Sequence, residues 1–213
     1  MDDQDATVSN REELRVAELE LMHQRERVAE LRRALPLNDV VSDYVFEDHN
    51  GPVRLSELFS APGRTLIVYH FMYGPPNDGP CPLCTMWIDG YNGIAHHVRE
   101  RADFVVVAAG SVDELSAHAA KRGWDNIRLL SAKGNTFKRD LLSETEDGEQ
   151  IERISVFRRD GGEIKHFYST GAELGPGQRE RGIDLLSPVW HLFDLTPEGR
   201  GDWYPNFDYE KGV

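Results

Sequence analysis

The residues with the clearest capacity for chemistry are Cys81 and Cys84, which form a Cys-Pro-Leu-Cys motif and are the only cysteines in the chain. A Cys-x-x-Cys spacing serves either as a redox-active dithiol or as half of a zinc site. Because the spacing alone does not distinguish these two uses, the elements that position the motif have to decide between them.

The position of the motif between a strand and a helix favours redox chemistry. The nearly continuous apolar run 65–73 predicts a buried strand, and after a Gly/Pro-rich loop the motif opens a helix with Pro82 in its first turn. Cys81 then lies at the helix N-terminus, where unpaired N–H groups and the helix dipole favour a thiolate. We therefore expect Cys81 to attack a disulfide and Cys84, one turn along, to resolve the mixed disulfide.

A zinc site would need two further ligands, and His96 and His97 are the candidates on the same helix. In an unbroken helix, His96 lies about 18 Å beyond Cys84, at a rise of about 1.5 Å per residue. Only a break at Gly90 or Gly93, where the helical pattern weakens, would return the histidines to the motif. Zinc binding and incidental cysteines remain as alternatives, and our main interpretation requires neither a metal nor a cofactor.

The composition argues against nucleic-acid and membrane partners. Asp and Glu number 37 against 24 Lys and Arg, and the resulting net charge of −13 repels phosphate backbones. The sequence contains no apolar run of about 18 residues, and its first ten residues lack the basic and apolar regions of a secretory signal. We therefore expect a cytoplasmic protein. Two cysteines in such a reducing compartment are more often catalytic, redox-active or metal-binding than structural.

The order of the predicted elements indicates an α/β fold with a central mixed sheet flanked by helices. Strands that alternate with helices predict parallel pairing through right-handed crossovers, and two hairpins add antiparallel strands. The predicted elements are a hairpin around residues 48–52, a helical turn at 55–59, strands at 65–73, 103–110 and 127–130, helices at 85–102, 112–122 and 136–142, a hairpin across 160–162, and a last helix at 183–195 that includes a cap at Ser187 and Pro188.

A long charged helix is predicted over residues 9–35, with Ser9 and Glu12 as a capping box. Its apolar residues recur at steps of three and four, and they form a stripe that needs to be covered. The stripe either packs on its own domain or forms a homodimer with a second copy of the chain over about three heptads. It consists of Leu14, Ala17, Leu21, the polar Gln24, Val28, Leu31 and Leu35.

Three regions are therefore expected along the chain. Residues 1–40 form an N-terminal helical arm, residues 41–195 form the domain that carries the motif, and residues 196–213 form a C-terminal tail. The tail contains Trp203, Tyr204, Phe207 and Tyr209, so we expect it to lie against the domain.

Several stretches of the chain resemble known proteins. YVFEDHNGPVRLSELF followed by TLIVYHFMY resembles the opening of the peroxiredoxin-like branch of the thioredoxin superfamily. YHFMYGPPNDGPCPLCTMW and RGIDLLSPVWHLFDLTPEGRGDW are similar to a thioredoxin-like family of predicted dithiol–disulfide oxidoreductases. This resemblance extends over nearly the whole chain and implies a thioredoxin-like fold, with a four- to five-stranded sheet flanked by helices.

The resemblance also bears on the roles of individual residues. Peroxiredoxins carry a Thr-x-x-Cys motif whose cysteine attacks peroxide; in this sequence Cys84 takes the position of that cysteine and Cys81 replaces the threonine. The stretch 151–156 lacks the proline that thioredoxins place before the strand facing their motif. Arg153 lies near the position of the peroxiredoxin active-site arginine, which implies a thiolate-stabilising role, the alternative being an exposed hairpin arginine.

His70 occupies the strand position at which similar thioredoxins keep a buried acid beneath the disulfide. The resemblance implies that His70 takes the proton of Cys84, and the alternative is a core histidine whose hydrogen bonds are satisfied within the protein. Trp87, one turn beyond Cys84, either shields the site or packs in the core. The predicted catalytic set is therefore Cys81, Cys84, His70 and Arg153.

Three functions are consistent with these residues. The leading interpretation is a thiol–disulfide oxidoreductase that acts on a disulfide-bearing protein or a small thiol. The second is a peroxide reductase in which Cys84 attacks and Cys81 resolves. The third is a non-enzymatic interaction or redox-sensor module that uses the N-terminal helix and the acidic surface.

Overall fold

The computed structural model describes residues 3–37, 39–77, 79–171, 186–199 and 201–207. Within them the helices are α1 (Asp3–Arg33), α2 (Pro82–Val98), α3 (Val112–Arg122), α4 (Phe137–Asp140) and α5 (Pro188–Phe193), with a 3-10 turn at Leu55–Leu58. The strands are β1 (Asp39–Val41), β2 (Val45–Asp48), β3 (Gly51–Arg54), β4 (Thr65–Phe71), β5 (Ala102–Ala108), β6 (Arg128–Ser131), β7 (Arg153–Asp160) and β8 (Glu163–Thr170). The chain divides into two compact units, Met1–Leu37 and Asn38–Val213.

The first unit consists mainly of α1, which begins at Asp3 and not at the predicted cap. The capping box at Ser9 is therefore wrong, because the backbone is already helical there, and the Glu12 carboxylate instead accepts a hydrogen bond of 2.9 Å from Arg15 Nε. The helix ends at Arg33, so Leu35 lies beyond its last turn. Although α1 has 31 residues, no helix in the described part of the chain is long and apolar enough to cross a membrane.

The second unit is built on one eight-stranded sheet in the order β1-β8-β7-β4-β5-β6-β2-β3. Strands β4, β5 and β6 are parallel to one another, and the other neighbouring strands pair antiparallel. The predicted α/β class with a central mixed sheet is confirmed. The expected count of four to five strands is wrong, because β1 pairs with β8 at one edge and the β2–β3 hairpin pairs with β6 at the other.

The central strand β4 separates two hydrophobic clusters. Its side chains alternate between the faces of the sheet, so Leu66 and Val68 pack in one cluster and Tyr69 and Phe71 in the other. We call these the α4 face, which includes Phe46, Phe137 and Phe157, and the α2 face, which includes Cys84, Trp87, Leu115, Trp124 and Trp190. Any group on β4 therefore points to one face only.

Helix α2 runs without interruption through Gly90 and Gly93 to Val98. The weakening predicted at these glycines does not break the helix, because buried side chains on both sides of them, including Ile88 and Ala95, fix the helix against the sheet. Helical propensity is a weak prior that such packing overrides.

The predicted helix at 112–122 is confirmed as α3, with the Ser111 side chain accepting a hydrogen bond from the Glu114 N–H at 3.4 Å. The last helix is shorter than predicted: α5 begins at Pro188 with Ser187 as its cap, as expected, and residues 183–185 lie outside the described residues. In the described part of the tail, the Trp203 ring lies 5.3 Å from Trp190, which confirms that this part packs on the domain. Tyr209 lies outside the described residues.

We predict that the full chain is a homodimer that pairs through the apolar stripe of α1. Substituting Leu21→Glu and Val28→Glu places charge in the centre of the stripe and should convert the dimer into a monomer, as measured by light scattering. His23→Glu is the matched control: at 100° per residue it adds the same kind of charge on the opposite side of the helix, and should leave the dimer intact. A monomeric unmodified chain would contradict the prediction.

Candidate active site

Cys81 is the N-cap residue of α2, and the backbone holds it in place from both sides. Its N–H donates to the Met72 carbonyl, just after β4, at 3.0 Å, and its own carbonyl accepts the first helical hydrogen bond from Thr85. Its φ and ψ angles of −69° and 126° are extended, and Pro82 occupies the first helical position as predicted. The Cys81 sulfur accepts a hydrogen bond from the Cys84 N–H at 3.5 Å, in the way that a serine or threonine oxygen caps a helix.

The loop that delivers the motif depends on Gly74. This residue has φ of +112°, and a Cβ at this position would lie 2.3 Å from the Gly110 nitrogen, so only glycine fits. The close approach lets the Gly110 N–H donate to the Tyr73 carbonyl at 2.9 Å. The end of β4 and the loop after β5 are thereby joined directly beside the motif.

The environment of Cys81 favours its thiolate. The hydrogen bond from the Cys84 thiol, assisted by the backbone N–H groups of Cys84 and Leu83, lowers the pKa of Cys81 to about 7, whereas burial and the charge of Glu152 act in the opposite direction. The side chain is only partly buried, so a substrate can reach the sulfur. A low-pKa, accessible thiol is the form of cysteine that attacks disulfides and peroxides.

Cys84 has the opposite properties. It is 1% exposed, and burial together with its hydrogen bond to Cys81 raises the pKa of Cys84 well above the ordinary value. The neighbouring Tyr69 hydroxyl and the Met72 backbone favour the thiolate of Cys84, but they do not outweigh the effect of burial on its pKa. The two thiols are therefore in contact, with the proton held mainly by Cys84.

The structure does not bring His70 to the thiols. His70 follows Val68 on the α4 face of β4, whereas Cys84 packs on the α2 face. Its Nε2 atom lies 2.9 Å from Ser155 Oγ, its Nδ1 atom lies 2.7 Å from Ser143 Oγ, and its ring is fully buried. Burial, supported by nearby positive charges, lowers the pKa of His70 well below the ordinary value, so the ring is neutral at physiological pH. This geometry matches the core-histidine alternative.

Arg153 lies beside His70 and not beside the cysteines. The two residues are directly opposite each other where β7 pairs with β4, and opposed residues share one face of a sheet. The arginine is half-buried at the start of β7, and its charge contributes to the lowered pKa of His70. Arg153 is therefore neither in contact with the dithiol nor an exposed hairpin arginine.

Two charged residues near the thiols were missed by the sequence interpretation. Lys138 is 2% exposed, and its ammonium donates to the carbonyl of Phe71, the last residue of β4, at 3.3 Å. Glu152 is 5% exposed, and its charge acts on both Lys138 and Cys81. The sequence contains no signal for them, because lysine and glutamate normally lie on the surface and both residues fall outside the motif.

The histidines considered as zinc ligands lie at the far end of α2. His96 and His97 are in its last turn, with ring centroids 4.0 Å apart, and the unbroken helix keeps them about 18 Å along the axis from Cys84. Among the described residues, no three His, Cys, Asp or Glu side chains form a group that could hold a metal ion.

A cavity of about 820 Å³ lies on another side of α2, and neither cysteine lines it. Trp87 lies between the two features: its ring is 5.7 Å from that of Tyr69, and it also borders the cavity. The Trp87 side chain is 2% exposed and packs in the core, in the same cluster as Cys84.

The profile of the family described as "Bacterial protein of unknown function (DUF899)" matches residues 2–210 of the chain. The chain belongs to this family. No curated protein is significantly similar to it.

Solved structures with a similar fold include several peroxiredoxins. Peroxidoxin BcpB from Mycobacterium tuberculosis matches with a TM-score of 0.53 and 19% sequence identity, over 73% of this chain and 98% of that chain. A mutant of peroxiredoxin Q from Xanthomonas campestris matches with a TM-score of 0.50 and 16% identity, over 71% and 92%. PrxQ from Xylella fastidiosa, also as a mutant, has a TM-score of 0.50 and 12% identity, over 71% and 95%. At these identities the likeness shows that this DUF899 protein has the thioredoxin-like fold of the peroxiredoxins.

We predict that the alkylation rate of Cys81 in this DUF899 protein rises as the pH increases through about 7. Cys84→Ala removes the thiol donor and should raise the pKa of Cys81 by about one to two units, since a hydrogen bond to a charged group contributes roughly 1.5–3 kcal/mol. Cys84→Ser retains a side-chain donor and is the matched control, with a smaller shift. Iodoacetamide labelling across pH, followed by mass spectrometry, measures the pKa. An unchanged pKa in Cys84→Ala would show that the backbone alone sets the acidity of Cys81.

Proposed function

We propose that this protein is a thiol–disulfide oxidoreductase in which Cys81 attacks and Cys84 resolves. The observation that carries the proposal is the asymmetry of the two thiols within one hydrogen-bonded pair. Cys81 caps the helix, is partly accessible and has a pKa near 7, whereas Cys84 is buried beneath it and holds its proton. Such a pair supplies one thiolate for the first attack and a second thiol that can later resolve the mixed disulfide.

The proposed reaction has two exchange steps. The Cys81 thiolate attacks one sulfur of a substrate disulfide, forms a mixed disulfide and releases the other substrate sulfur as a thiolate. Cys84 then loses its proton and attacks the Cys81 sulfur, so that the Cys81–Cys84 disulfide forms and the second substrate sulfur leaves. The protein is oxidised by two electrons and the substrate is reduced by two, and the reverse sequence oxidises a dithiol substrate.

A peroxide reductase is the second candidate, and the peroxiredoxin-like fold is the observation that favours it. In this alternative, Cys84 takes the position of the peroxide-attacking cysteine and becomes a sulfenic acid, which Cys81 converts to the disulfide. The burial of Cys84 and its raised pKa count against it as the attacking thiol, because peroxide reacts with an accessible thiolate.

We predict that the purified protein forms a reversible Cys81–Cys84 disulfide with oxidised glutathione and reduces insulin disulfides faster than it consumes hydrogen peroxide. Mass spectrometry should show the loss of two hydrogens on oxidation and their recovery with reductant. The Cys81→Ser/Cys84→Ser double variant, which cannot form the bond, is the control for both assays. Two free thiols that survive excess oxidised glutathione would contradict the proposal, and rapid peroxide consumption without insulin reduction would favour the second candidate.

We further predict that Cys84→Ser traps mixed disulfides through Cys81, because the resolving thiol is absent, whereas Cys81→Ser traps few. The readout is the amount of reductant-sensitive adduct on each single variant after incubation with a disulfide-containing peptide. Under peroxide, the second candidate predicts the reverse pattern, with Cys81→Ser accumulating sulfenic acid at Cys84. Faster adduct formation at Cys84 than at Cys81 would overturn the assignment of roles.

A further inference from the structure

Lys138 carries a charge that is almost completely buried. It follows Phe137 in the four-residue helix α4, and the Phe137 ring packs in the α4-face cluster. The lysine side chain extends to the carboxyl end of β4, where it donates to the Phe71 carbonyl at 3.3 Å. Burying an ammonium is unfavourable unless groups of opposite charge compensate it. The groups that interact with Lys138 therefore indicate the role of its charge.

Three ionisable groups from other parts of the chain interact with the Lys138 ammonium, and the largest of these interactions is with Cys84. The other two are with Glu144 and Glu152, and the lysine in turn contributes to the lowered pKa of His70. Glu144 is already occupied, since its carboxylate oxygens accept from Arg139 at 3.1 Å and from Gln150 at 3.2 Å. Among these groups, the Cys84 sulfur has the strongest interaction with Lys138.

We propose that Lys138 is the residue that allows Cys84 to ionise in the resolving step. The proposal rests on the proposed function, because it assigns a role within the same dithiol reaction. It answers a requirement of that reaction: Cys84 must become a thiolate while it is buried, and an uncompensated thiolate in the core is unfavourable. The Phe71 carbonyl holds the Lys138 ammonium at the end of β4, one residue before Met72, whose carbonyl accepts from the Cys81 N–H.

The proton balance of the step is simple. Burial lowers the pKa of Lys138 to about 8, so a fraction of the side chain is a neutral amine at physiological pH. In the mixed disulfide, the pair passes from Cys84 thiol and Lys138 amine to thiolate and ammonium. The thiolate attacks the Cys81 sulfur, the Cys81–Cys84 bond forms, and the bond to the substrate breaks. The departing substrate sulfur takes the electron pair and then the proton that the ammonium releases.

The other ionisable residues near the site do not fit this role. Both ring nitrogens of His70 are bonded to serine hydroxyls on the opposite face of the sheet, and Arg153 lies on that face as well. The Tyr69 ring packs in the same cluster as Cys84, but burial and the neighbouring thiol raise the pKa of Tyr69, so the hydroxyl keeps its own proton and cannot accept another at neutral pH. Glu152 carries a negative charge, which opposes a second negative charge on Cys84.

The test uses limiting dithiobis-nitrobenzoate with the full reduced chain in a stopped-flow instrument. Attack by Cys81 releases one coloured thiolate, and resolution by Cys84 releases a second one in a later, concentration-independent phase. In the unmodified protein, the rate of the second phase should increase as the pH rises through about 8. Lys138→Met should change the rate of the first phase by less than about twofold. It should slow the second phase by at least about tenfold at neutral pH and move the pH midpoint of that phase upward. The reason is that each unit by which the pKa of Cys84 rises lowers its thiolate fraction about tenfold.

Lys133→Met is the matched control, because Lys133 is exposed and lies on the same segment, and it should change neither phase. Lys138→Arg restores a charge and should recover part of the rate. Lys138→Met/Glu152→Gln removes both buried charges and should resolve as slowly as Lys138→Met, which shows that the loss of the lysine, and not a change in the net buried charge, slows the step.

The outcomes separate the inference from the proposed function. A second phase that is equally fast in Lys138→Met, with the same pH midpoint, overturns the role of Lys138 and leaves the oxidoreductase intact. A missing second phase in the unmodified protein overturns the proposed function. In that case the pKa of Cys84, measured by alkylation in Cys81→Ser, still tests the lysine: it should rise in Cys81→Ser/Lys138→Met, and an unchanged value rejects the inference.

Discussion

The burial of β4 between β5 and β7 is the constraint on which the rest of the site depends. Because both faces of this strand are covered, consecutive side chains enter two separate environments. Tyr69 lies with the thiols on the α2 face, and His70 lies with two serines on the α4 face. Two consecutive residues of the same strand therefore enter different surroundings, one beside the thiols and the other in a neutral hydrogen-bonded core.

The end of β4 also determines the difference in acidity and burial between the two cysteines. The Met72 carbonyl accepts from the Cys81 N–H at 3.0 Å, and the Met72 backbone also favours the thiolate of Cys84, so one residue acts on both cysteines. The helix terminus then stabilises negative charge on the outer sulfur, and burial disfavours it on the inner one. A buried lysine is the compensation that such an arrangement requires, and Lys138 enters from α4, on the opposite face, to provide it at the carboxyl end of the strand.

Local signals in the sequence were sufficient for most of the framework. The apolar run at 65–73 gives β4, the pattern at 112–122 gives α3, and the motif with Pro82 gives the start of α2. Where local signals failed, tertiary packing was the reason. Ser9 resembles a cap but lies inside α1, and the sheet gained edge strands because short segments found partners distant in sequence.

The sequence by itself determined which residues are the candidates for chemistry, since it carries two cysteines at a helix start and the order of elements that places them beside a sheet. Only the tertiary structure decided which charged groups meet the thiols. The resemblance to thioredoxins and peroxiredoxins suggested His70 and Arg153 as site residues, yet the two are paired across β4 and β7 on the other face of the sheet. Lys138 and Glu152 have no local signal, and the fold buries both of them where their charges act on the thiols. The reason is physical: backbone periodicity is local, whereas the compensation of buried charge depends on contacts between distant segments.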